Sequence, residues 1–267
     1  MTERLNVRRM DVPGSSISEH IWFDAERDIT PNDWENINHE LESLRKDGDW
    51  EHFVPMAARI QLLDPKRTVP ITGSEWEVMY AKKAEVAMKT WMLDFDYVSS
   101  LKVLRPYSPV FAADRNEYEK EVVRRKDMAR KNHRDGSWYY AAFAEAYIKM
   151  IYPSRPKTLT EDDWRNMLDE LKKERNEKGG LSYQTAALLK TISGSGISAT
   201  KDEWQDMHRL LQQHRGEGDH ILFCYVAARA KILAAKEIKF TDLGMEFIMP
   251  EGKAEKSERP APETLSI

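Results

Sequence analysis

One five-residue phrase recurs through this chain. It reads Thr30-Pro-Asn-Asp33-Trp34, then Thr72-Gly-Ser-Glu75-Trp76, Asp114-Arg-Asn-Glu117-Tyr118, Thr160-Glu-Asp-Asp163-Trp164 and Thr200-Lys-Asp-Glu203-Trp204. The starts are 42, 42, 46 and 40 residues apart. Self-similarity at such a period is the signature of a structural unit that buries its apolar face only against copies of itself. Each phrase is a helix start. The Thr or Asp oxygen accepts from free first-turn amides, and the acid three positions on reaches back toward the positive helix end. Pro31 takes the first helical position, where its missing N–H costs nothing. The residues before the caps, Ile29, Ile71, Ala113, Leu159 and Ala199, stand five ahead of the aromatic, as in a hydrophobic staple. Trp34, Trp76, Tyr118, Trp164 and Trp204 are therefore expected to be structural anchors filling the gaps between units.

Apolar residues at helical spacing follow each start, for example Trp34, Ile37, Leu41 and Leu44, or Trp204, Met207 and Leu211. Basic residues and glycine then close the helix: Arg45 and Gly48, Arg134 and Gly136, Arg175 and Gly179, Arg215 and Gly216. A second helix is expected to begin near Trp50, Trp91, Trp138, Leu181 and His220. It should end just before Pro65, Pro106, Pro153, Gly194 and Ala235. Its last turns repeat an apolar-Lys-x-apolar pattern, behind small residues such as Ala57 and Ala58, Ala186 and Ala187, Ala227 and Ala228. At about 100° per residue this puts apolar side chains on two nearly opposite faces, which describes a helix sandwiched between neighbours.

The predicted fold is all-α: a right-handed α-solenoid of about five helix-turn-helix repeats of about 42 residues. The repeat region spans 17–250, opened by a short capping helix over Ile17 to Arg27. Repeats start near 30, 72, 114, 160 and 200, and a degenerate sixth start near Thr241 closes the array, with Gly244 and Met245 in place of acid and aromatic. Residues 1–16 read as a flexible arm and 251–267 as a disordered tail, since neither has the apolar content to order itself. In period this layout resembles the HEAT and armadillo class of helical hairpins and differs from tetratricopeptide repeats, whose period is about 34. The phrases also look similar to repeats in uncharacterised proteins of uncultivated bacteria. That resemblance covers architecture over residues 29 to 249 and implies no active site.

Lys plus Arg at 41 against Asp plus Glu at 45 leaves a net charge of -4, so no global field would draw the molecule to nucleic acid. The longest apolar stretch, Ile221 to Ala235, is interrupted by Arg229 and Lys231 and is too short to span a bilayer. A single cysteine, Cys224, allows no internal disulfide and reads as an inert core thiol; the expected compartment is cytoplasmic. Seven histidines include no His-Glu-x-x-His pair, and no glycine-rich phosphate loop follows a strand. No enzymatic site, metal or cofactor is expected.

Two features suggest binding. Lys102, Lys149, Lys190 and Lys231 occupy one repeat position, with Gln61 in the first repeat. Stacked, they would form a ladder for an extended anionic partner, unless each is a helix former with its stem packed and its head in water. The third repeat's first helix carries Arg124, Arg125, Lys126, Arg130 and Lys131 among seven basic residues in 120–134, against Glu121 and Asp127. It is followed by the aromatics Trp138, Tyr139, Tyr140, Phe143 and Tyr147. The expected function is a non-enzymatic scaffold binding a protein or extended peptide along its repeat surface. The alternative is a nucleic-acid-binding repeat protein using the lysine ladder and basic helix.

Overall fold

The computed structural model describes residues 23–106, 115–132, 137–155, 158–177, 182–241 and 244–250. The protein is mainly helical. A short helix α1 (Ala25–Asp28) leads into five hairpins: α2 (Pro31–Asp47) with α3 (Trp50–Leu63), α4 (Gly73–Lys89) with α5 (Trp91–Leu104), α6 (Arg115–Asn132) with α7 (Ser137–Ile151), α8 (Glu161–Asn176) with α9 (Ser182–Ser193), and α10 (Lys201–Glu217) with α11 (His220–Ala234). The recurring phrase opens the first helix of each hairpin. At Thr30, Thr72, Thr160 and Thr200 the side chain accepts from the amide three residues on, and Asp33, Glu75, Asp163 and Glu203 return a bond to the cap amide. Asp114, the expected third cap, lies outside the described residues, as do residues 1–16, 251–267, Arg134, Gly136, Gly179 and Leu181.

The second helices form an inner layer. α3 packs on α5, α5 on α7, α7 on α9 and α9 on α11, and α11 then packs on α3. The last hairpin thus meets the first, and the inner helices close a ring with α2, α4, α6, α8 and α10 outside. The sequence predicted a solenoid whose ends are capped by a short helix and a degenerate sixth start; here the first and last hairpins also pack on each other. The difference lies in curvature, because the turn per hairpin is large enough for the ends to meet. Every inner helix is buried toward its outer partner, its neighbours and the ring axis, which accounts for its apolar residues on two opposite faces. α7, with Ala141, Ala142, Ala144 and Ala146 fully buried, shows how small residues permit close approach on several sides.

Two arginine and lysine series join the hairpins. Arg45 near the end of α2 meets Glu75, the capping acid of α4, and donates to the Pro70 carbonyl. Arg175 meets Glu203 and the Ser198 carbonyl, and Arg130 meets Asp163 through two hydrogen bonds. Arg215 closes the circle on Asp33 (2.7 Å twice) and the Asp28 carbonyl (3.0 Å). Arg45, Arg175 and Arg215 stand in the last turns of their own helices, as expected, and also reach the next helix start, where a carboxylate and a free carbonyl lie side by side. Arg130, read in the sequence as part of a binding surface, reaches the Asp163 carboxylate.

The sixth start does not form a helix. Two strands, β1 (Glu237–Thr241) and β2 (Gly244–Ile248), pair antiparallel, with Ile238 opposite Phe247. Without the capping acid and aromatic, alternating Ile238, Phe240 and Phe247 favour strands. The hairpin lies over the end of the ring where the inner helices finish. Its Ile238 amide donates to the Gly194 carbonyl just beyond α9 at 2.6 Å, and Phe240 and Phe247 lie beside Lys149 of α7 and Lys231 of α11. A second correction concerns α10, which runs through Gly216 to Glu217 and turns at Gly218 (φ 72°). Gly48 (φ 68°) ends α2 as expected.

Candidate functional site

The ladder lysines belong to the closed end of the ring. Lys149 donates to the Ile192 carbonyl at 2.7 Å, Lys190 to the carbonyls of Leu233 (3.0 Å) and Ala235, and Lys231 to the Leu63 carbonyl at 2.7 Å. Each ammonium therefore caps the C-terminal carbonyls of the next inner helix, where the helix dipole is negative. Lys102 departs from the series and donates to Pro106, in the loop that ends its own helix. Lys190 is only 3% exposed, and burial lowers its pKa to about 8. Burial also lowers Lys231, against the pull of Asp64, Asp24 and Glu26. The expected row of outward charges is instead a set of joints between hairpins.

The basic helix is similarly engaged. Lys126 is buried against Glu145 and the Thr158 hydroxyl, and Arg155 holds the other oxygen of the same carboxylate at 2.7 Å. Burial would raise Glu145, but Arg155 and Lys126 overcome it and keep the carboxyl below its usual range. Arg125 stacks on Trp91 at 3.9 Å and pairs with Glu121, which Arg124 also reaches. Arg130 is the latch to Asp163. Arg124 and Lys131 face solvent. Trp34, Trp76, Tyr118 and Trp204 are buried as anchors, whereas Trp164 is half-buried. Cys224 is fully buried, and burial pushes its thiol up to about 12.

The opposite end of the ring, where the inner helices begin, differs in character. Large apolar side chains are exposed there: Met88 and Met128 near the ends of α4 and α6, and Leu93, Tyr140 and Leu222 in the first turns of α5, α7 and α11. Met88 is 80% exposed. The N-terminal ends of all five inner helices lie at this face, so their positive dipole ends do too. A cleft of about 90 Å³ opens beside α3, lined in part by His52, Pro55, Arg59, Leu93, Asp96 and Ile221.

Below this mouth the ring axis holds a polar cluster. Arg59 of α3 donates to Asp96 of α5 at 2.8 Å and lies 5.0 Å from the centre of the Tyr225 ring of α11. Arg229 of α11 lies 4.8 Å from the same ring and reaches across the axis to the Tyr147 hydroxyl of α7 at 2.8 Å. Tyr147 is fully enclosed, and burial raises its phenol strongly despite the Arg229 charge, so it stays neutral as an acceptor. Nearby, Tyr139 donates to Gln184 at 3.4 Å. Sequence reasoning did not find this cluster. The one available signal was Arg229 interrupting an apolar run, which had been weighed only against a membrane span. Arg59 and Asp96 look like ordinary helix residues in the sequence, and Tyr147 stands out there only as part of the aromatic run that follows the basic helix.

Among the described residues no group of three or more His, Cys, Asp or Glu stands where it could hold a metal, and no helix is long and apolar enough to cross a membrane. No protein-family model, curated protein or solved structure matches this chain.

Proposed function

We propose that this protein is a non-enzymatic helical scaffold, built from five copies of one HEAT-like hairpin, that docks a protein or peptide on the open face of its ring. The observation carrying this reading is the difference between its two ends, although Val78, Val123 and Met249 are exposed elsewhere on the surface. One is covered by the β-hairpin and joined by lysine caps. The other leaves Met88, Leu93, Met128, Tyr140 and Leu222 in solvent. Apolar side chains gathered on one face beside charged residues are characteristic of docking surfaces. Ring closure removes the long concave groove of an open array, so the partner is expected at the rim and not along an inner channel. The lysines and arginines suited to a polyanion are mostly held in internal pairs, which favours a protein partner over nucleic acid.

Affinity capture from native lysate tests this, comparing the wild-type chain with a Met88→Glu, Leu222→Glu double variant of unchanged melting temperature. Each is assayed with and without nuclease and at two salt concentrations. The expected result is a protein recovered by the wild type, lost with the variant and indifferent to nuclease. Recovery abolished by nuclease or moderate salt would reject the reading in favour of nucleic-acid binding. Equal recovery by the variant would remove the rim from consideration.

A further inference from the structure

The capping acids Asp33, Glu75, Asp163 and Glu203 each hold an arginine from a neighbouring outer helix. Glu117, the corresponding acid of α6, pairs with Lys120 of its own helix, and its side chain is 76% exposed. The position on α4 that would supply its arginine is Ala87. The change there is wider than one residue. Twelve, fifteen and sixteen places past the cap stand Glu42, Arg45 and Lys46 in α2, and Lys172, Arg175 and Asn176 in α8. In α4 the same places hold Ala84, Ala87 and Met88, all of them exposed.

Tyr80, Ala84, Ala87 and Met88 stand at i, i+4, i+7 and i+8, so α4 carries a second apolar face besides the one that buries Trp76, Met79 and Val86. Lys83 fixes where this face looks. Its ammonium lies 5.9 Å from the centre of the Tyr80 ring and 5.7 Å from that of Tyr118 in α6, so the flank borders α6. Past the end of α4, Arg125 of α6 lies over the half-buried Trp91, whose ring also meets the exposed Tyr140 edge-on. Of the five large apolar side chains exposed at the open face, four, Met88, Leu93, Met128 and Tyr140, belong to these two hairpins.

We propose that the seam between α4 and α6 docks an amphipathic helix of a partner protein, which lays its apolar face on Tyr80, Ala84 and Met88 and brings an arginine to Glu117. Apolar side chains at helical spacing receive a helix spaced in the same way, and the alanines let the two backbones come close. The chemistry of the edge contact is that of the chain's own joints, where the capping acid accepts a guanidinium four times. At Glu117 the guanidinium comes from outside. Glu77, exposed two turns before Ala84, adds a second negative charge that suits a basic partner and repels an acidic one. The seam is one part of the open face assigned above to a protein partner, and its role rests on that reading.

A display library of helix-forming peptides, selected on the immobilised full chain, tests this. The enriched peptides should share an apolar helical face and an arginine. Made synthetically and measured by fluorescence anisotropy, they should bind Glu117→Gln at least about fivefold more weakly than the wild type. Ala87→Arg, which fills the seam with the arginine that other joints carry, should weaken them at least about tenfold. Replacing the peptide's arginine by glutamine should erase the difference between wild type and Glu117→Gln. Leu222→Glu, outside the seam, should bind as the wild type does. Loss of binding there with full binding to Ala87→Arg would overturn the seam while leaving docking elsewhere on the rim in place. No enriched peptide, enriched peptides without arginine, or equal affinity for Glu117→Gln would each overturn the proposal. A wild type that sediments as a dimer, with Ala87→Arg a monomer, would give the seam to a second copy of the chain and overturn it too. Should Ala87→Arg not fold, Glu117→Gln, a change at an exposed side chain, decides alone.

Discussion

Replacing Arg215 by Met probes ring closure directly, because its partner lies 182 positions away in sequence. In the ring the guanidinium makes two bonds of 2.7 Å to Asp33 and a third to the Asp28 carbonyl. Asp33 is 3% exposed. Burial alone would raise its carboxyl, but the bonds from Arg215 and from the Thr30 side chain and amide outweigh it and hold the group below the usual carboxylate range. Removing one partner of a buried pair costs about 3–5 kcal/mol. Since the Arg215 side chain is 28% exposed, solvent recovers part of this, and about 2 kcal/mol is the expected loss. In an open array the same arginine would stand on a free end, where substitution changes stability by no more than about 0.5 kcal/mol.

Urea unfolding of wild type, Arg215→Met, Asp33→Asn and the double variant gives the coupling directly. A coupling of about 1 kcal/mol or more is expected, matched by the equivalent cycle on Arg175 and Glu203 within the chain. The sign with pH follows from the depressed carboxyl. The latch contributes fully above the unfolded carboxylate pKa, and its contribution is lost as pH falls through the folded value, so the difference between wild type and Arg215→Met should close in acid. Additive single effects, within about 0.5 kcal/mol, would show that the first and last hairpins do not touch and would refute ring closure.

Two further outcomes follow from the closed end. Lys190 has its folded pKa lowered to about 8, so the folded state sheds its proton before the unfolded chain does. Wild-type stability should therefore rise relative to Lys190→Met as pH goes from about 8 to about 10.5, by at most about 3 kcal/mol, and a pH-independent difference would show that the Leu233 and Ala235 carbonyls hold the ammonium without penalty. Gly194 sits at φ 80°, and a Cβ there would come within 2.9 Å of the Ile238 carbonyl oxygen. Gly194→Ala should cost more than about 1 kcal/mol and speed amide exchange in β1, whereas a neutral effect would mean that the hairpin is not seated on α9.

Local signals made the hairpins legible. Capping boxes, helical apolar spacing and breaks at Pro65, Pro106 and Pro153 mark most boundaries to within a residue or two, because each acts within a turn or so of backbone. The roles of charged side chains were harder to read. A lysine four turns along a helix looks the same in sequence whether it points to solvent or caps a neighbour's carbonyls, and Lys149, Lys190 and Lys231 do the latter. The axial cluster was less legible still. Arg59 and Asp96, 37 residues apart, meet through the packing of consecutive hairpins, whereas Arg229 and Tyr147, 82 apart, meet only across the ring.

Closure itself left a trace in the sequence, though one that needs the latch geometry to decode. An open stack of repeats joined by arginine and capping acid should waste one of each, an acid on the first repeat and an arginine on the last. The fifth repeat keeps Arg215 although the sixth start has lost its acid, and the first keeps Asp33 although no outer helix precedes it among the described residues. The two leftover partners satisfy one another. The same logic locates two departures from the pattern. Fifteen residues past Thr30, Thr160 and Thr200 stand Arg45, Arg175 and Arg215, but fifteen past Thr72 stands Ala87 and fifteen past Asp114 stands Ala129, with Arg130 one position on; Glu117 is exposed and pairs with Lys120. Between the second and third hairpins α6 meets α5 through Arg125 over Trp91, Tyr118 edge-on to Phe95, and the Tyr118 hydroxyl donating to Asp94. Aromatic contacts there take the place of the arginine and capping-acid pair that joins the other hairpins.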